Sequence, residues 1–289
     1  MALEFSFVLA HVLGLETLTP SMRRVVMGGV GAAGWRNVDA PDAAVLLVFP
    51  GPAGALSLPD PAVDTDPYQL TRWYTIRRYD ERRDELTVDL VAHPLGLSPR
   101  WWRSVAPGDQ VGVSSATSWW QRPADATWQL LLGDLTALPA IGRTLEDFSA
   151  GLPTQALVEV PTAADEQRLE IPAEVELRWV HTPRGQPSRL ASVARSLRLP
   201  PGPGYVYVAG EARAARTVRA LLRHERQLPA SRYYVAGYWR ERSEEWMRRF
   251  RAVEAQLGLA DLYARFEAAD ADKEALTDEL DRRLEAAGL

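Results

Sequence analysis

The pattern of apolar residues changes near Trp128, and this change constrains the fold more than any other feature of the sequence. Before it, short apolar or alternating runs are separated by turn residues, a pattern typical of β-strands. The clearest of these runs are Val45–Phe49, Arg72–Tyr79 and Leu86–Ala92. The charged stretch Asp80–Asp84 between the last two is typical of a hairpin loop. We therefore predict a small antiparallel barrel over residues 1–125.

After Trp128, apolar strand patterns alternate with helical ones. The predicted strands are Trp128–Leu132, Ala156–Val160, Val175–His181, Tyr205–Ala209 and Tyr233–Ala236. The predicted helices are Thr136–Phe148, Leu190–Leu199 and Glu211–Gln227. Strands that alternate with helices indicate βαβ units, so we expect a parallel, doubly wound sheet over residues 126–240.

The tail over residues 241–289 has the spacing of amphipathic helices. Its apolar residues recur every three or four positions: Trp246, Phe250, Val253 and Leu257, then Leu276, Leu280 and Leu284. This periodicity predicts two or more helices that pack on the body of the protein or on another subunit. A packed helical extension is the favoured interpretation, and a homodimer formed through these helices is the alternative.

The amino-acid composition excludes several kinds of catalytic and cofactor chemistry. The sequence has no cysteine, which excludes disulfides, thiolate nucleophiles and cysteine-ligated iron–sulfur clusters. Its 4 histidines are too widely spread to predict a metal site, and any redox chemistry therefore requires an organic cofactor or the substrate to carry electrons. A net charge of −5 does not favour nucleic acid or an acidic membrane surface. Without a long apolar run or a basic leader, the expected location is the cytoplasm.

The segment Arg72–Arg77 carries residue types suited to a flavin cofactor. On a strand, Arg72 and Tyr74 share one face, while Trp73 and Thr75 share the other. An arginine can bind a pyrophosphate bidentately, and a tyrosine can pack against a ring system. A threonine can hydrogen-bond a ring nitrogen. An aromatic strand with solvated arginines has the same pattern, so the segment alone leaves both interpretations open.

An ordered series of motifs favours the flavin interpretation. It runs from about Val12 to Arg240 and comprises Leu18–Arg24, Val48–Pro50, Arg72–Thr75, His93 with Gly96, Arg100 and Trp101, Pro107–Asp109, Gly133–Ile141, Val158–Pro161, Asp165–Gln167, Ala209–Ala212 and Gly237–Arg240. In this series the chain resembles the siderophore-interacting proteins, which are FAD-binding ferric-siderophore reductases related to ferredoxin–NADP reductases. The resemblance implies a six-stranded FAD-binding barrel followed by an NAD(P)H-binding α/β domain.

The resemblance also implies roles for individual residues. Those expected at FAD are Arg72, Trp73, Tyr74, Thr75, His93, Gly96, Ser98, Ser115, Thr117 and Ser118. Those expected at NADPH or NADH are Gly133, Asp134, Thr136, Pro139, Gly210 and Glu211. Four arginines on the following helix could attract a 2′-phosphate, although a solvated basic face is the favoured interpretation: Arg213, Arg216, Arg219 and Arg223.

The chain departs from the family where the iron complex is expected to bind. A triad of basic side chains holds an anionic siderophore in the family, but Leu46 stands at one position and Ser114–Trp120 covers the second. Arg240 is retained, and Arg122, at a shifted position, is a candidate to replace the second cation. The residues expected at the substrate are Leu46, Trp119, Trp120, Tyr238, Trp239 and Arg240. These changes favour a less charged, more apolar ligand.

Three functions follow as alternatives. The first is an FAD-dependent reductase that uses NAD(P)H. The second is a family member repurposed for natural-product biosynthesis, an oxidase or a cyclase in which FAD serves as a structural wall. The third is a binding or assembly protein without catalytic activity. No catalytic residue is predicted, and the expected partner is a small-molecule substrate rather than nucleic acid or a membrane.

Overall fold

A computed structural model describes residues 5–51, 54–60, 69–92, 97–268 and 271–289. Two residues expected near FAD, His93 and Gly96, lie outside the described residues. Among the helices that are described, none is long and apolar enough to cross a membrane.

The N-terminal part forms the predicted antiparallel barrel. Its strands are β1 (Phe7–Thr19), β2 (Met22–Gly28), β3 (Ala44–Val48), β4 (Thr71–Asp80), β5 (Glu85–Val91) and β6 (Gln110–Ser114). They close in the order β1-β2-β5-β4-β3-β6. Alternate side chains fill the interior: Val45 and Leu47 of β3, Ile76 of β4 and Val88 of β5 are all fully buried. Because side chains alternate along a strand, only those on one side of each strand point into the barrel interior.

A short helix, α1 (Leu97–Ser104), contains Pro99 and was not among the predicted helices. Proline is compatible with the first turn of a helix, since its missing N–H would have no intrahelical partner there. The helix also places Ser98 in that first turn. Trp101 of α1 is buried and meets Phe49 at a ring-centroid distance of 5.2 Å, which anchors the helix to the barrel.

The second part is a parallel sheet, as predicted. Its strands are β7 (Trp128–Asp134), β8 (Thr154–Val160), β9 (Val175–His181), β10 (Gly204–Glu211) and β11 (Tyr233–Trp239), in the order β11-β10-β7-β8-β9. Its helices are α2 (Leu138–Asp147), α3 (Leu190–Ser196) and α4 (Ala212–Ala220), the last continued by a π-helical turn to Glu225. Helix α2 covers one face of the sheet, and α3 and α4 cover the other. The sheet is thus doubly wound.

Helix α2 joins the two parts, because it packs against β4 of the barrel. A bulge between Ile76 and Arg78 interrupts the pairing of β4 with β5. The buried guanidinium of Arg143 donates to the Ile76 carbonyl at 3.1 Å, which satisfies this irregular stretch of backbone. Arg77 forms an ion pair with Glu146 of α2 at 2.5 Å. These contacts fix the Arg72 strand against the sheet.

The tail folds into three helices, α5 (Ser243–Val253), α6 (Leu259–Phe266) and α7 (Lys273–Ala286). Their apolar residues form a separate core cluster that includes Leu257, Leu262, Leu276 and Leu284. The predicted amphipathic helices are therefore present. They pack on the body of the protein through α7, which lies against α4.

The arginines of α4 are not a solvated basic face, because α7 presents carboxylates to them. Arg219 is 7% exposed and pairs with three acidic side chains, Glu274 at 2.9 Å, Asp278 at 2.5 Å and Asp281 at 2.8 Å. Arg223 pairs with Asp278 at 2.7 Å, and Arg216 lies 3.6 Å from Asp281. Of the four arginines, Arg213 alone is exposed. We call these pairs the α4–α7 ion-pair network.

Acidification should weaken the α4–α7 ion-pair network. Burial alone would raise the pKa of Asp278, but hydrogen bonds from Arg219 and Arg223 outweigh it and hold the pKa below its usual value. A carboxyl group with a lowered folded pKa contributes stability above its unfolded pKa, about 3.9, and loses it as the pH falls through the folded value. We expect α7 amides to lose hydrogen-exchange protection below about pH 4. Helix α3, which contains no carboxylate, is the internal control, and equal losses in both helices would contradict this.

Candidate functional site

The carboxylate of Asp134 ties three strand ends together at the C-terminal edge of the sheet. Its Oδ1 accepts the backbone N–H and the hydroxyl of Thr136 at 2.8 and 2.6 Å. Its Oδ2 accepts the backbone N–H of Glu211 and the indole N–H of Trp239, both at 2.7 Å. Burial raises the pKa of Asp134, while all of these donors favour its ionised form and oppose that rise. The same bonds to Thr136 explain why α2 begins two residues later than predicted.

Two glycines allow the close approach of these strand ends. Gly210 has a φ of 150°, and a Cβ there would lie 2.7 Å from Asp134 Oδ2. A Cβ at Gly133 would lie 2.5 Å from the Cβ of Ala137 and 2.8 Å from the Ala209 carbonyl oxygen. Both glycines are therefore required by packing at this edge, whether or not a nucleotide also approaches them.

Glu211 caps helix α4. Its carboxylate accepts the backbone N–H groups of Arg213 and Ala214 at 2.7 and 3.0 Å. Helix α2 has no side-chain cap, and Pro139 lies in its first turn. The structure thus brings Gly133, Asp134, Thr136, Gly210 and Glu211 to one edge, with Pro139 close in sequence. That these residues bind a nucleotide stays a prediction.

The Arg72 strand presents its two faces as predicted. Arg72 is exposed, and its Nη1 donates to the carbonyls of Gln69 and Thr71 at 3.2 and 2.5 Å. Tyr74 on the same face is half-buried and meets Phe49 edge-on, with ring centroids 6.1 Å apart. Thr75 on the opposite face is buried.

Thr75 links this strand to the sheet. The hydroxyl of Tyr238, at the end of β11, forms a 2.5 Å hydrogen bond with that of Tyr207 of β10, and it lies near enough to Thr75 of β4 for that side chain to lower its pKa. Burial around the hydroxyl has the larger effect and raises the pKa of Tyr238 to about 12, although its ring is 37% exposed. The barrel strand and the C-terminal edge of the sheet therefore meet at Thr75 and Tyr238.

Asp42, a residue that the sequence analysis did not identify, holds the segment between the barrel and the sheet. It is 1% exposed and accepts the Ser118 hydroxyl at 2.5 Å. It also accepts the backbone N–H groups of Trp119 and Trp120, both at 3.2 Å. Burial raises the pKa of Asp42, and these donors oppose the rise. One aspartate before an apolar strand carries no local signal of such a role.

The predicted residues of this connecting segment mostly make structural contacts. The backbone N–H of Ser115 donates to the Ser6 carbonyl at 2.7 Å, and Thr117 pairs with Ala44 of β3. The hydroxyl of Ser118 is taken by Asp42. Trp120 packs on Tyr205 and Tyr207, with ring centroids 5.1 and 5.3 Å away. Their roles at a cofactor or substrate stay predictions.

The outer side of β3 and β4 carries a neutral group, which we call the aromatic face: Phe5, Leu46, Trp73 and Trp119. Leu46 lies directly opposite Trp73 in the register of the two strands. The ring centroid of Trp73 is 5.4 Å from that of Phe5 and 5.2 Å from that of Trp119. Trp73, expected at FAD, thus points away from the face that carries Arg72 and Tyr74.

The remaining candidate cations do not reach the aromatic face. The guanidinium of Arg240 stacks on Trp246 of α5, 4.1 Å from the ring centroid. Burial and the nearby charge of Arg216 lower the pKa of Arg240. Arg122 donates to the Gln129 side chain at 2.9 Å and to the Phe148 carbonyl at 3.2 Å. Arg122 is therefore not a substitute for the second cation, because its guanidinium is directed to the opposite end of β7.

A closed antiparallel barrel followed by a doubly wound parallel sheet is the fold shared with ferredoxin-reductase-like structures, among them a ferredoxin reductase of carbazole 1,9a-dioxygenase with a TM-score of 0.61 and 17% identity. Two family models match this chain. The siderophore-interacting FAD-binding domain matches residues 11–117, and the siderophore-interacting protein model matches residues 126–242. The chain belongs to the siderophore-interacting protein family, and its barrel is an FAD-binding domain.

Individual relatives agree with this assignment. An uncharacterized protein of Mycobacterium tuberculosis is 30% identical over 275 residues, 86% of this chain and 96% of that protein. The ferric vibriobactin reductase ViuB of Vibrio cholerae is 27% identical over 237 residues, 79% of this chain and 87% of that protein. A siderophore utilization protein from T. fusca has a similar crystal structure, with 33% identity and a TM-score of 0.72, covering 82% of this chain and 94% of that chain. Relatives of this kind support an oxidoreductase in general terms.

The residues of β4 fit FAD. Within the described residues, both hydrogen bonds of the Arg72 guanidinium use Nη1, which leaves the Nε and Nη2 donors for a pyrophosphate. Tyr74 offers a ring on the same face, and Thr75 offers a hydroxyl at the junction with the sheet. A guanidinium, an aromatic ring and a hydroxyl on one strand form a donor set suited to a flavin dinucleotide.

Replacing Arg72 with alanine should weaken FAD binding by ~1.5–3 kcal/mol, because a charge-assisted bond to phosphate is lost. Titration of the apoprotein with FAD, followed by flavin fluorescence, measures this directly. Arg78→Ala is the matched control, since Arg78 is an exposed arginine on the same strand. An Arg72 variant that binds FAD as tightly as the Arg78 variant would remove Arg72 from the cofactor site.

Proposed function

We propose that this chain is an FAD-dependent reductase that uses NAD(P)H. One observation carries the proposal: Thr75 of the FAD-binding barrel lies beside the Tyr238 hydroxyl, which is hydrogen-bonded to Tyr207 of the sheet. Ligands of doubly wound sheets bind outside the C-terminal ends of the strands, which is where Tyr238 lies. A flavin next to Thr75 would therefore face a nucleotide bound at that edge.

Residues of this chain would divide the work between two faces. Arg72 would hold the pyrophosphate of FAD, Tyr74 would pack on its ring system, and Thr75 would hydrogen-bond the ring edge. At the sheet, Asp134 would keep the strand ends together beside the nucleotide. Bound FAD would supply hydride acceptance and electron transfer, which none of the chain's own side chains can provide.

The network of α4 with α7 bears on nucleotide choice. Arg216, Arg219 and Arg223 are already paired with carboxylates, so they offer little charge to a 2′-phosphate. The arginines therefore do not predict a preference for NADPH, and reduction of bound FAD is measured with both NADPH and NADH.

The test is anaerobic mixing of the FAD-loaded protein with each nucleotide. Loss of the flavin absorption band with NADPH or NADH is the expected result, and its rate gives the preference. Retention of the band with both nucleotides would overturn the proposal.

A second candidate is a biosynthetic family member in which FAD serves as a structural wall. The neutral aromatic face favours it, since an anionic iron complex would meet no cation among the four side chains of that face, which are all uncharged. Tight FAD binding without bleaching by either nucleotide is the result that would favour this candidate.

A further inference from the structure

The exposed member of the aromatic face is Trp73. Its side chain is 42% exposed, and few tryptophans of a folded chain are left so open to solvent. Both neighbouring rings stand nearly perpendicular to it, at 75° for Phe5 and 80° for Trp119. Within the described residues, no ring of the protein lies parallel to Trp73, so a planar molecule can stack on it.

The aromatic face adjoins the cofactor strand. Trp73 and Thr75 are two residues apart on β4 and point to the same side, which places them roughly 6.5 Å apart along the strand. Thr75 in turn lies beside the Tyr238 hydroxyl at the end of β11. A molecule on the aromatic face would therefore lie next to the junction of the barrel with the sheet.

The charges around the face decide which molecule fits. None of its four side chains is charged, and Leu46, which is 5% exposed, occupies the position directly opposite Trp73. The guanidinium of Arg240 is turned onto Trp246. An anion placed on this face would lose hydration without gaining an ion pair, whereas a neutral ring would gain stacking and apolar burial.

We propose that the aromatic face binds a planar, uncharged aromatic electron acceptor of the quinone class. This inference rests on the proposed function, since the electrons come from NAD(P)H. The overall reaction balances as NAD(P)H + H⁺ + quinone → NAD(P)⁺ + hydroquinone. Two electrons and two protons convert both carbonyl oxygens of the quinone to hydroxyls.

Direct binding tests the inference independently of turnover. Oxidised, FAD-loaded protein is titrated by calorimetry with 1,4-naphthoquinone and, separately, with ferric citrate. The chain contains no cysteine, so a thiol adduct of the quinone cannot imitate binding. We expect the quinone to bind more tightly than ferric citrate, and Trp73→Ala to raise the Kd of the quinone about tenfold or more.

A matched control and a second variant complete the design. Tyr263→Ala removes another exposed aromatic, 51% exposed on α6, and should leave the Kd of the quinone unchanged. Trp119→Ala should raise that Kd in the same direction as Trp73→Ala, because it removes a neighbouring wall. Tighter binding of ferric citrate than of quinone, or equal quinone binding by Trp73→Ala and the wild type, overturns the inference.

The result that would overturn the proposed function differs from the one that would overturn the quinone inference. Absence of flavin bleaching in the wild type by either nucleotide overturns NAD(P)H dependence, whatever the calorimetry shows. Normal bleaching together with no quinone binding overturns only the acceptor class.

Discussion

Replacing Arg219 with methionine should release α7 from α4 and cost about 3–5 kcal/mol, the usual penalty for breaking a buried ion pair from one side. Arg219 is 7% exposed and holds three carboxylates within 2.9 Å, so its loss removes a cation that pairs with all of Glu274, Asp278 and Asp281. Their separate pairs with Arg216 and Arg223 remain. Electrostatic repulsion among the three carboxylates adds to the free-energy cost of their burial. We expect the tail to become sensitive to proteases and its amides to lose exchange protection.

The matched control is Arg213→Met, which changes the same residue type on the same helix at an exposed position. It should have little effect, since an exposed charge contributes little to stability. Hydrogen exchange, resolved by segment, separates release of α7 from unfolding of the whole protein. If the amides of α7 are equally protected from exchange in the Arg219→Met and Arg213→Met variants, the α4–α7 ion-pair network does not hold the tail.

Replacing Asp134 with alanine should be the second large effect, because it strips the acceptor from donors on three strand ends. The indole N–H of Trp239 and the backbone N–H groups of Thr136 and Glu211 would all lose their partner. Each donor left without a partner costs about 1–3 kcal/mol, so a loss of roughly 3 kcal/mol or more is expected. Asp134→Asn keeps one acceptor oxygen and should fall between the alanine variant and the wild type.

Thermal unfolding measures this series, and Asp125→Ala is its control. Asp125 pairs with Arg232 in a bidentate arrangement, at 2.8 and 2.7 Å, but its side chain is 61% exposed. Such a surface pair should contribute little. If Asp134→Ala unfolds at the same temperature as Asp125→Ala, Asp134 does not hold the strand ends together.

Much of the fold could be predicted because its signals are local. Strand β9 occupies Val175–His181, as its apolar run predicts, and the change of pattern near Trp128 separates barrel from sheet. Helix α1 was missed because prolines around it read as a turn, although proline is compatible with a first helical turn. The FAD-binding assignment came from an ordered series of motifs that the family models confirm.

The candidate site was predictable only in part. Arg72, Tyr74 and Thr75 could be assigned to faces of a strand because strand geometry alternates every residue. The partners of Asp134 could not, since its bond to Trp239 spans 105 positions of the chain. Likewise, nothing in the arginine spacing of α4 shows that Arg219 is met by Asp281, 62 residues later.

Residue types and short-range spacing were enough to predict most of the strands and helices and the FAD-binding barrel. The residues of β4 that contact FAD and the replaced basic positions of the family stay predictions. In contrast, the bonds of Asp134 to the strand ends, the pairing of α7 with Arg216, Arg219 and Arg223, and the neutral face shared by Trp73 and Leu46 depend on the folded chain. The physical reason is that hydrogen bonds, ion pairs and ring contacts act over a few ångströms, and distant segments reach that range only after the chain has folded.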